Sequence, residues 1–248
     1  RLAVPPRHAS VEKQIPKPVE PLSPTTVNAD AWAAYSGGAQ FISALQDARA
    51  ARAVWQALPG ESWPQRLAEA AAVTVNSGRG VLAVLPDQRD VDLLYAAAVA
   101  QVPETRVVAL SAGLGPAERY RRWLAVLRGD ARVVIGTRSA VFAPVAELGL
   151  VVLWDDGDDS LSEPRAPYPH AREVAMLRAH QLQCAAMIGG YARTAESQAL
   201  VRSRWAHDLT ATRSTVRTHA PRVIALEDSV YAQERDPAAR TARLPSVA

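Results

Sequence analysis

The stretch Arg132–Asp156, RVVIGTRSAVFAPVAELGLVVLWDD, holds two short apolar runs, Arg132 to Ile135 and Leu150 to Trp154, on either side of a Gly-Thr-Arg-Ser loop. Each run is almost continuous in aliphatic residues, which is the pattern of a strand covered on both faces, not of one with a wet face. Working outward, similar runs occur at Val81 to Leu85, Arg106 to Leu110 and Ala185 to Ile188, with a weaker one at Arg52 to Leu58. Segments of helical period lie between them, at Trp63 to Asn76, Gln88 to Gln101, Pro116 to Arg128, His170 to His180 and Thr194 to Trp205. Pro116 falls at a helix start, where its missing N–H costs nothing. Strands alternating with helices predict an α/β fold with a doubly wound, mostly parallel sheet, and place any ligand crevice at the carboxyl ends of the strands.

The flanks read differently. Residues 1–28 carry Pro5, Pro6, Pro16, Pro18, Pro21 and Pro24 and few apolar clusters, so a Pro-rich linker or strap is expected there. Beyond Trp205 the pattern loosens: Leu209 to Val216 and Val223 to Leu226 are candidate strands, and Arg235 to Ala248 reads as a polar connector. The chain opens on Arg1, not Met, and is read as a segment of something longer.

Composition narrows the class. At 248 residues one α/β domain with extensions is expected. A lone cysteine, Cys184, excludes a disulfide framework or a Cys-rich zinc site, and a cytoplasmic location is the expectation. No run of about 18 apolar residues is present to span a bilayer. The formal charge of +3 leans mildly toward an anionic partner. Lysine occurs only at Lys13 and Lys17, with arginine in its place elsewhere, a bias that a GC-rich coding sequence explains as readily as DNA contact.

The loops at the strand ends are Leu85-Pro86-Asp87, then Ile135 to Phe142 (IGTRSAVF), Leu148 to Asp156 (LGLVVLWDD), His170-Ala171-Arg172-Glu173, and Gly189-Gly190. This series resembles the first motor lobe of the PriA family of bacterial replication-restart proteins, which shows VPE, IGTRSALF, LGLIIVDEEHD, YHARD and GSATP in that order. The resemblance covers about residues 50–205, and is closest to the actinobacterial branch, whose motor motifs are similarly eroded. It implies a RecA-like, P-loop-type helicase lobe 1 over 29–207, preceded by the linker after an N-terminal DNA-binding domain. A connector over 208–248 would lead toward a second motor lobe. The partners it implies are branched or single-stranded DNA and other replication-restart and primosome proteins. The family's zinc-binding module lies outside this chain.

The departures from the family pattern concern ATP. A P-loop needs G-x-x-x-x-G-K-[ST], because backbone amides cradle the phosphates, the lysine supplies a cation and the hydroxyl holds magnesium. The corresponding stretch is Ala57-Leu58-Pro59-Gly60-Glu61-Ser62-Trp63-Pro64, with Trp63 at the lysine position, Pro64 at the hydroxyl position, and Glu61 adding negative charge. Trp154 replaces the metal-binding aspartate, Asp155 stands at the catalytic glutamate, and Asp156-Gly157 completes the altered DEEH. Loss of one positioned charge costs about 2.7 to 4 kcal/mol of barrier, so loss of several should abolish turnover. The residues Gly60, Glu61, Ser62, Trp63, Pro64, Trp154, Asp155 and Asp156 therefore form a degenerate nucleotide site, and no catalytic residue, metal or cofactor is assigned.

Pro86, Gly136, Thr137, Arg138 and Ser139 match the family's DNA-tracking face, where hydroxyls, amides and a guanidinium can take successive phosphates. The alternative for that loop is a turn closed by Gly136, with Arg138 paired to a nearby carboxylate. For Asp155, Asp156, Asp158 and Asp159 a solvated acidic turn is preferred to a two-metal nuclease site, which gathers carboxylates from several elements. His170 is either the family histidine or a helix-start residue with Arg172 and Glu173 solvated beside it. His8, His180, His207 and His219 have no ligand spacing. Arg119, Arg121 and Arg122 read as an exposed helix face supported by Glu118, while Trp55 and Trp123 read as core or subunit-contact residues. The leading reading is a catalytically silent lobe that binds DNA at stalled forks. Its rival is an active ATP-dependent 3′ to 5′ DNA helicase that takes Mg·ATP in an atypical site.

Overall fold

The computed structural model describes residues 4–13, 22, 24, 26–111 and 113–222. Its described elements are α1 (Ala9–Glu12), α2 (Gly38–Gln46), β1 (Arg52–Gln56), α3 (Trp63–Asn76), β2 (Gly80–Val84), α4 (Gln88–Val99), β3 (Val107–Leu110), α5 (Pro116–Arg128), β4 (Val133–Gly136), β5 (Leu148–Trp154), α6 (Ala171–Leu182), β6 (Ala185–Gly190), α7 (Ala195–Arg202), β7 (His207–Leu209) and α8 (Arg213–His219).

The strands form one sheet in the order β3-β4-β2-β5-β6-β1-β7. Every pairing is parallel, so the sheet is fully rather than mostly parallel. All seven residues of β5 and all five of β2 are buried, as continuous apolar runs require when helices cover both faces. On one face α2, α3 and α4 enclose Trp32, Trp55, Trp63 and Trp154. On the other, α5, α6 and the turn at Arg138–Phe142 cover Leu82, Val84, Val134, Val151 and Leu153. Trp55, Trp123 and Cys184 are all buried within these two layers.

Leu209 to Val216 does not form the strand expected there. Only Leu209 belongs to β7, and Thr212 starts α8 by accepting the Thr215 N–H at 3.2 Å. A threonine that caps a helix gives the same β-branched signal as one in a strand. Val223 to Leu226 lies outside the described residues. The α2 helix and the short 3-10 turn at Asp30–Ala34 were not anticipated. The stretch expected to be linker holds α1, whose Val11 is buried and whose neighbours pack toward α5. No described helix is long and apolar enough to cross a membrane.

A filled crevice at the strand ends

The β1–α3 loop occupies the strand–loop–helix position of a P-loop, and four of its amides are engaged within the chain. Ala57 N–H donates to Gly190 O at 3.0 Å, Glu61 N–H to Leu58 O at 3.1 Å and Trp63 N–H to Glu61 O at 3.0 Å. Leu58 N–H is shared between the Tyr35 hydroxyl at 3.0 Å and Glu61 Oε2 at 3.3 Å. Pro59 and Pro64 have no N–H to offer. Glu61 thus puts its own carboxylate beside a loop amide, where a P-loop would receive phosphate oxygen. That carboxylate is also hydrogen-bonded by the Tyr35 hydroxyl and lies 3.5 Å from Arg66 Nε. Arg66 in turn pairs with the buried Glu69 at 2.8 Å. Burial pushes the Glu69 carboxyl pKa up, with Arg66 pulling it back.

The two tryptophans at the lysine and aspartate positions meet. Trp63 and Trp154 stack with ring centroids 4.5 Å apart and planes 15° from parallel. Trp55 lies against Trp154 at 5.6 Å, Trp32 against Trp55 at 5.2 Å, and Tyr191 meets Trp154 edge-on at 5.6 Å. The Tyr191 hydroxyl donates to Glu61 O at 2.8 Å and closes the outer side. Gly189 is required here, since a Cβ would stand 2.8 Å from the Trp55 ring and 3.2 Å from that of Trp154. Offset aromatic contacts of this kind stabilise by about 0.5–1.5 kcal/mol each beyond their burial. These residues do not fit Mg·ATP: cation, hydroxyl and metal-binding carboxylate are absent, and indole and carboxylate take their places.

The sequence-predicted set divides here. Gly60, Glu61, Ser62, Trp63, Pro64 and Trp154 gather around the filled loop. Asp155 follows in a left-handed conformation at φ 54°, and its N–H donates to Gly189 O at 2.7 Å. Burial raises its carboxyl pKa, and Asp158 and Asp156 add to the effect. Asp156 corrects the expectation of a solvated acidic turn. It is buried, and its Oδ2 accepts from Arg172 Nη1 at 2.9 Å and from the Thr194 hydroxyl at 2.8 Å. Arg172, solvated in one of the two readings of His170, is buried with it, and the pair ties β5 to the starts of α6 and α7. Sequence spacing could not reveal this pair, because sixteen residues separate its members. Among the described residues no group of His, Cys, Asp or Glu has a metal-binding arrangement.

The candidate DNA face is assembled through a residue that the sequence reading passed over, Ser160. Its hydroxyl donates to Pro86 O at 3.0 Å, and its own carbonyl accepts from Arg138 Nη1 at 2.5 Å. Arg138 also donates to Ser162 O at 3.0 Å and pairs with Glu163 at 3.2 Å. The guanidinium is therefore committed within the chain, as the alternative reading of that loop anticipated. Thr137 closes the following turn by accepting the Ala140 N–H at 2.7 Å, and Ser139 stays exposed. Asp87 caps α4 through the Asp90 N–H at 2.9 Å. His170 caps α6, its Nδ1 accepting from Arg172 N–H at 3.0 Å. Glu118 holds Arg122 at 2.8 Å as expected of an exposed helix face, and Arg122 also reaches Ala109 O at 2.8 Å.

The parallel sheet and the strand-end loops define an α/β domain of the RecA-like class, with its β1–α3 loop packed by side chains. No family model matches the chain. It is 69% identical over 249 residues to a protein of Mycobacterium tuberculosis named probable replication restart protein PriA, a match covering 100% of this chain and 38% of that protein. Identity to the Mycobacterium leprae protein of the same name is 66%, over 100% of this chain and 39% of that one. The Bacillus subtilis replication restart protein PriA is 35% identical over 95 residues, 38% of this chain and 12% of that one. Among solved structures, the C-terminal domain of S. cerevisiae Dbp5 L327V bound to Gle1 H337R and IP6 gives a TM-score of 0.45 at 14% identity, covering 62% of this chain and 84% of that one. The chain belongs to the PriA family and spans 38–39% of the length of the mycobacterial members it matches.

Proposed function

We propose that this chain is the first-motor-lobe segment of a replication-restart protein that binds branched or single-stranded DNA at stalled forks without hydrolysing ATP. The observation that carries the second half is the filled crevice. Glu61 stands beside a P-loop amide, and Trp63 stacks on Trp154 where a lysine and a metal-binding aspartate would face each other. Phosphoryl transfer depends almost wholly on positioned charge, and the positions here are apolar or of the wrong sign. DNA binding is supported by family membership; of the strand-end residues, Ser139 is exposed and Thr137 and Arg138 are half-buried, whereas Pro86 and Gly136 are buried and would only shape the loop. Replication-restart and primosome proteins are the partners this reading implies, and zinc belongs to a part of the family's proteins outside this chain.

The test is fork-DNA anisotropy and phosphate release in one mixture of the full-length protein across a salt series. Salt-sensitive binding with no release is the expected result. Phosphate release that rises with fork DNA would instead establish an ATP-dependent helicase motor and overturn the reading. Installing Lys and Thr at positions 63 and 64 is expected to leave Mg·ATP binding undetectable, because Trp154 and Glu61 remain.

A further inference from the structure

The arginines at the strand ends are committed within the chain: Arg138 to Ser160 O, Ser162 O and Glu163, Arg172 to Asp156, and Arg193 to Asp208. Those around the β7 edge of the sheet are not. Residues 195–222 hold five arginines, Arg202, Arg204, Arg213, Arg217 and Arg222, against two carboxylates, Glu196 and Asp208. All five are exposed, and none has a hydrogen-bond or ion-pair partner among the described residues. The two carboxylates do little to screen them. Asp208 accepts from Arg193 at 2.6 and 3.1 Å, and Glu196 lies in the first turn of α7, 3.8 Å from Arg172 and at the opposite end of the helix from Arg202.

The fold sets these cations in two groups flanking an edge strand. β7 is the last strand of the sheet and pairs with β1 alone. Before it, α7 closes in a turn whose Arg204 N–H donates to Val201 O at 3.0 Å, with Arg204 at a left-handed φ of 61°, and this turn presents Arg202 and Arg204. Arg52 lies over the ring of the next residue, Trp205, at 4.6 Å, and adds another cation at that end. After β7, α8 carries Arg213 and Arg217 four residues apart, on one face of a helix that buries none of its residues. From Arg204 to Arg213 the chain spans at most about 30 Å when extended, so both groups are within reach of one short stretch of a polyanion.

We propose that the β7 edge, with Arg202 and Arg204 at one end and Arg213 and Arg217 at the other, is a contact surface for the sugar–phosphate backbone of DNA. The proposal rests on the DNA-binding reading and puts a contact five strand spacings, about 24 Å, across the sheet from β4 and its family loop. Guanidinium groups take phosphate oxygens in bidentate pairs, and these four have no internal bond to break first. Trp205 is half-buried with Arg52 over its ring, so the edge offers charge to the backbone in place of a stacking platform for bases.

Two readouts on the full-length protein separate this surface from DNA binding in general. In anisotropy with a labelled oligothymidylate strand, Arg213→Gln/Arg217→Gln is expected to lower the slope of log affinity against log salt by about 1 to 2, and Arg202→Gln/Arg204→Gln by a similar amount. Arg213→Lys/Arg217→Lys should keep the slope, because lysine neutralises a phosphate as a point charge. Phenylglyoxal labelling read by mass spectrometry should show the four arginines protected by the same strand and less so by polyglutamate. If the protein binds DNA while both glutamine variants keep the unaltered slope, the edge is refuted and the DNA-binding reading survives. A weaker affinity at unchanged slope refutes it too, since the lost contacts are then not with phosphates. Protection by polyglutamate alone would make the edge a docking face for an acidic protein and overturn the assignment to DNA. If the unaltered protein binds no DNA, both readings fail.

Discussion

Two loops at the same edge of the sheet have met different fates. The β1–α3 loop has lost its family sequence and become core: the Glu61 and Trp63 amides bond to loop carbonyls, Glu61 faces Leu58 N–H, and Trp63 lies on Trp154. The loop after β4 keeps its family sequence, Gly136 to Phe142, yet Arg138 is bound to Ser160 O, Ser162 O and Glu163. Loss of a motif here means replacement by packing, and retention of a motif does not by itself mean a free ligand-binding side chain. The first loop should answer mutation as a core does, and the second as a polar clasp does.

The largest effect is expected at the filled loop. Trp154 is 3% exposed and touches Trp55, Trp63 and Tyr191. Trp154→Ala should cost about 3–5 kcal/mol in urea unfolding, the range for truncating a buried tryptophan. Restoring the family aspartate as Trp154→Asp should cost at least as much, since it adds an unpaired carboxylate to the cavity. A loss below about 1 kcal/mol would show that the indoles line a usable site and do not fill one. The matching change in the second loop is Gly136→Ala, whose Cβ would collide with Leu110 O and lie 2.6 Å from the Ala140 Cβ. Overpacking of that kind should cost about 1–3 kcal/mol. Near-neutral stability there would mean that the glycine serves ligand approach and not packing.

Much of the fold was legible because buried parallel strands leave continuous apolar runs: Trp63–Asn76 and Pro116–Arg128 end where the pattern and Pro116 place them. The α2 helix, GAQFISALQ, is short and lies next to a Pro-rich stretch, which hid its period. In the crevice, the missing lysine, hydroxyl and aspartate could be read directly, but their replacement by a tryptophan stack could not, because β5 and α3 meet only in three dimensions. Asp156 and Arg172 were misread for the same reason. Each looks solvated in a one-dimensional context of charge, and each is satisfied by the other when buried.

A sharper probe of the second loop frees its arginine. Glu163→Gln removes the one carboxylate paired to Arg138 among the described residues, and Arg138→Ala removes the guanidinium that joins three loop acceptors. Both side chains are about a third exposed, at 32% and 30%, so the ion pair itself should contribute little once solvent screening is counted. Arg138→Ala should lower stability by about 1 kcal/mol, mainly through the two carbonyl hydrogen bonds. In DNA binding the two variants should diverge. Arg138→Ala reduces the slope of log affinity against log salt by about 1 if the guanidinium reaches a phosphate, whereas Glu163→Gln keeps the slope or steepens it. Identical slopes in all three chains would confine Arg138 to the clasp.

The smallest expected effect is a pH dependence in the support of that clasp. His170 caps α6 with an unprotonated Nδ1, and its backbone forms an antiparallel bridge with Ser162, one of the Arg138 acceptors. Burial, helped by the Arg172 cation, lowers the His170 pKa from its ordinary value of 6.5. With a folded-state pKa below that of the unfolded chain, the folded protein binds fewer protons over the interval between them. The contribution is therefore complete above pH 6.5 and fades as pH falls through the lowered folded value. His170→Asn keeps a cap that does not titrate, and should remove this pH dependence while holding stability at pH 7 within about 0.5 kcal/mol. Relative to the intrinsic exchange rate at each pH, protection of the Arg172 amide should fall on acidification in the unaltered chain and stay level in the variant. An equal loss of protection in both would assign the acid sensitivity to groups other than His170 and detach it from the second loop.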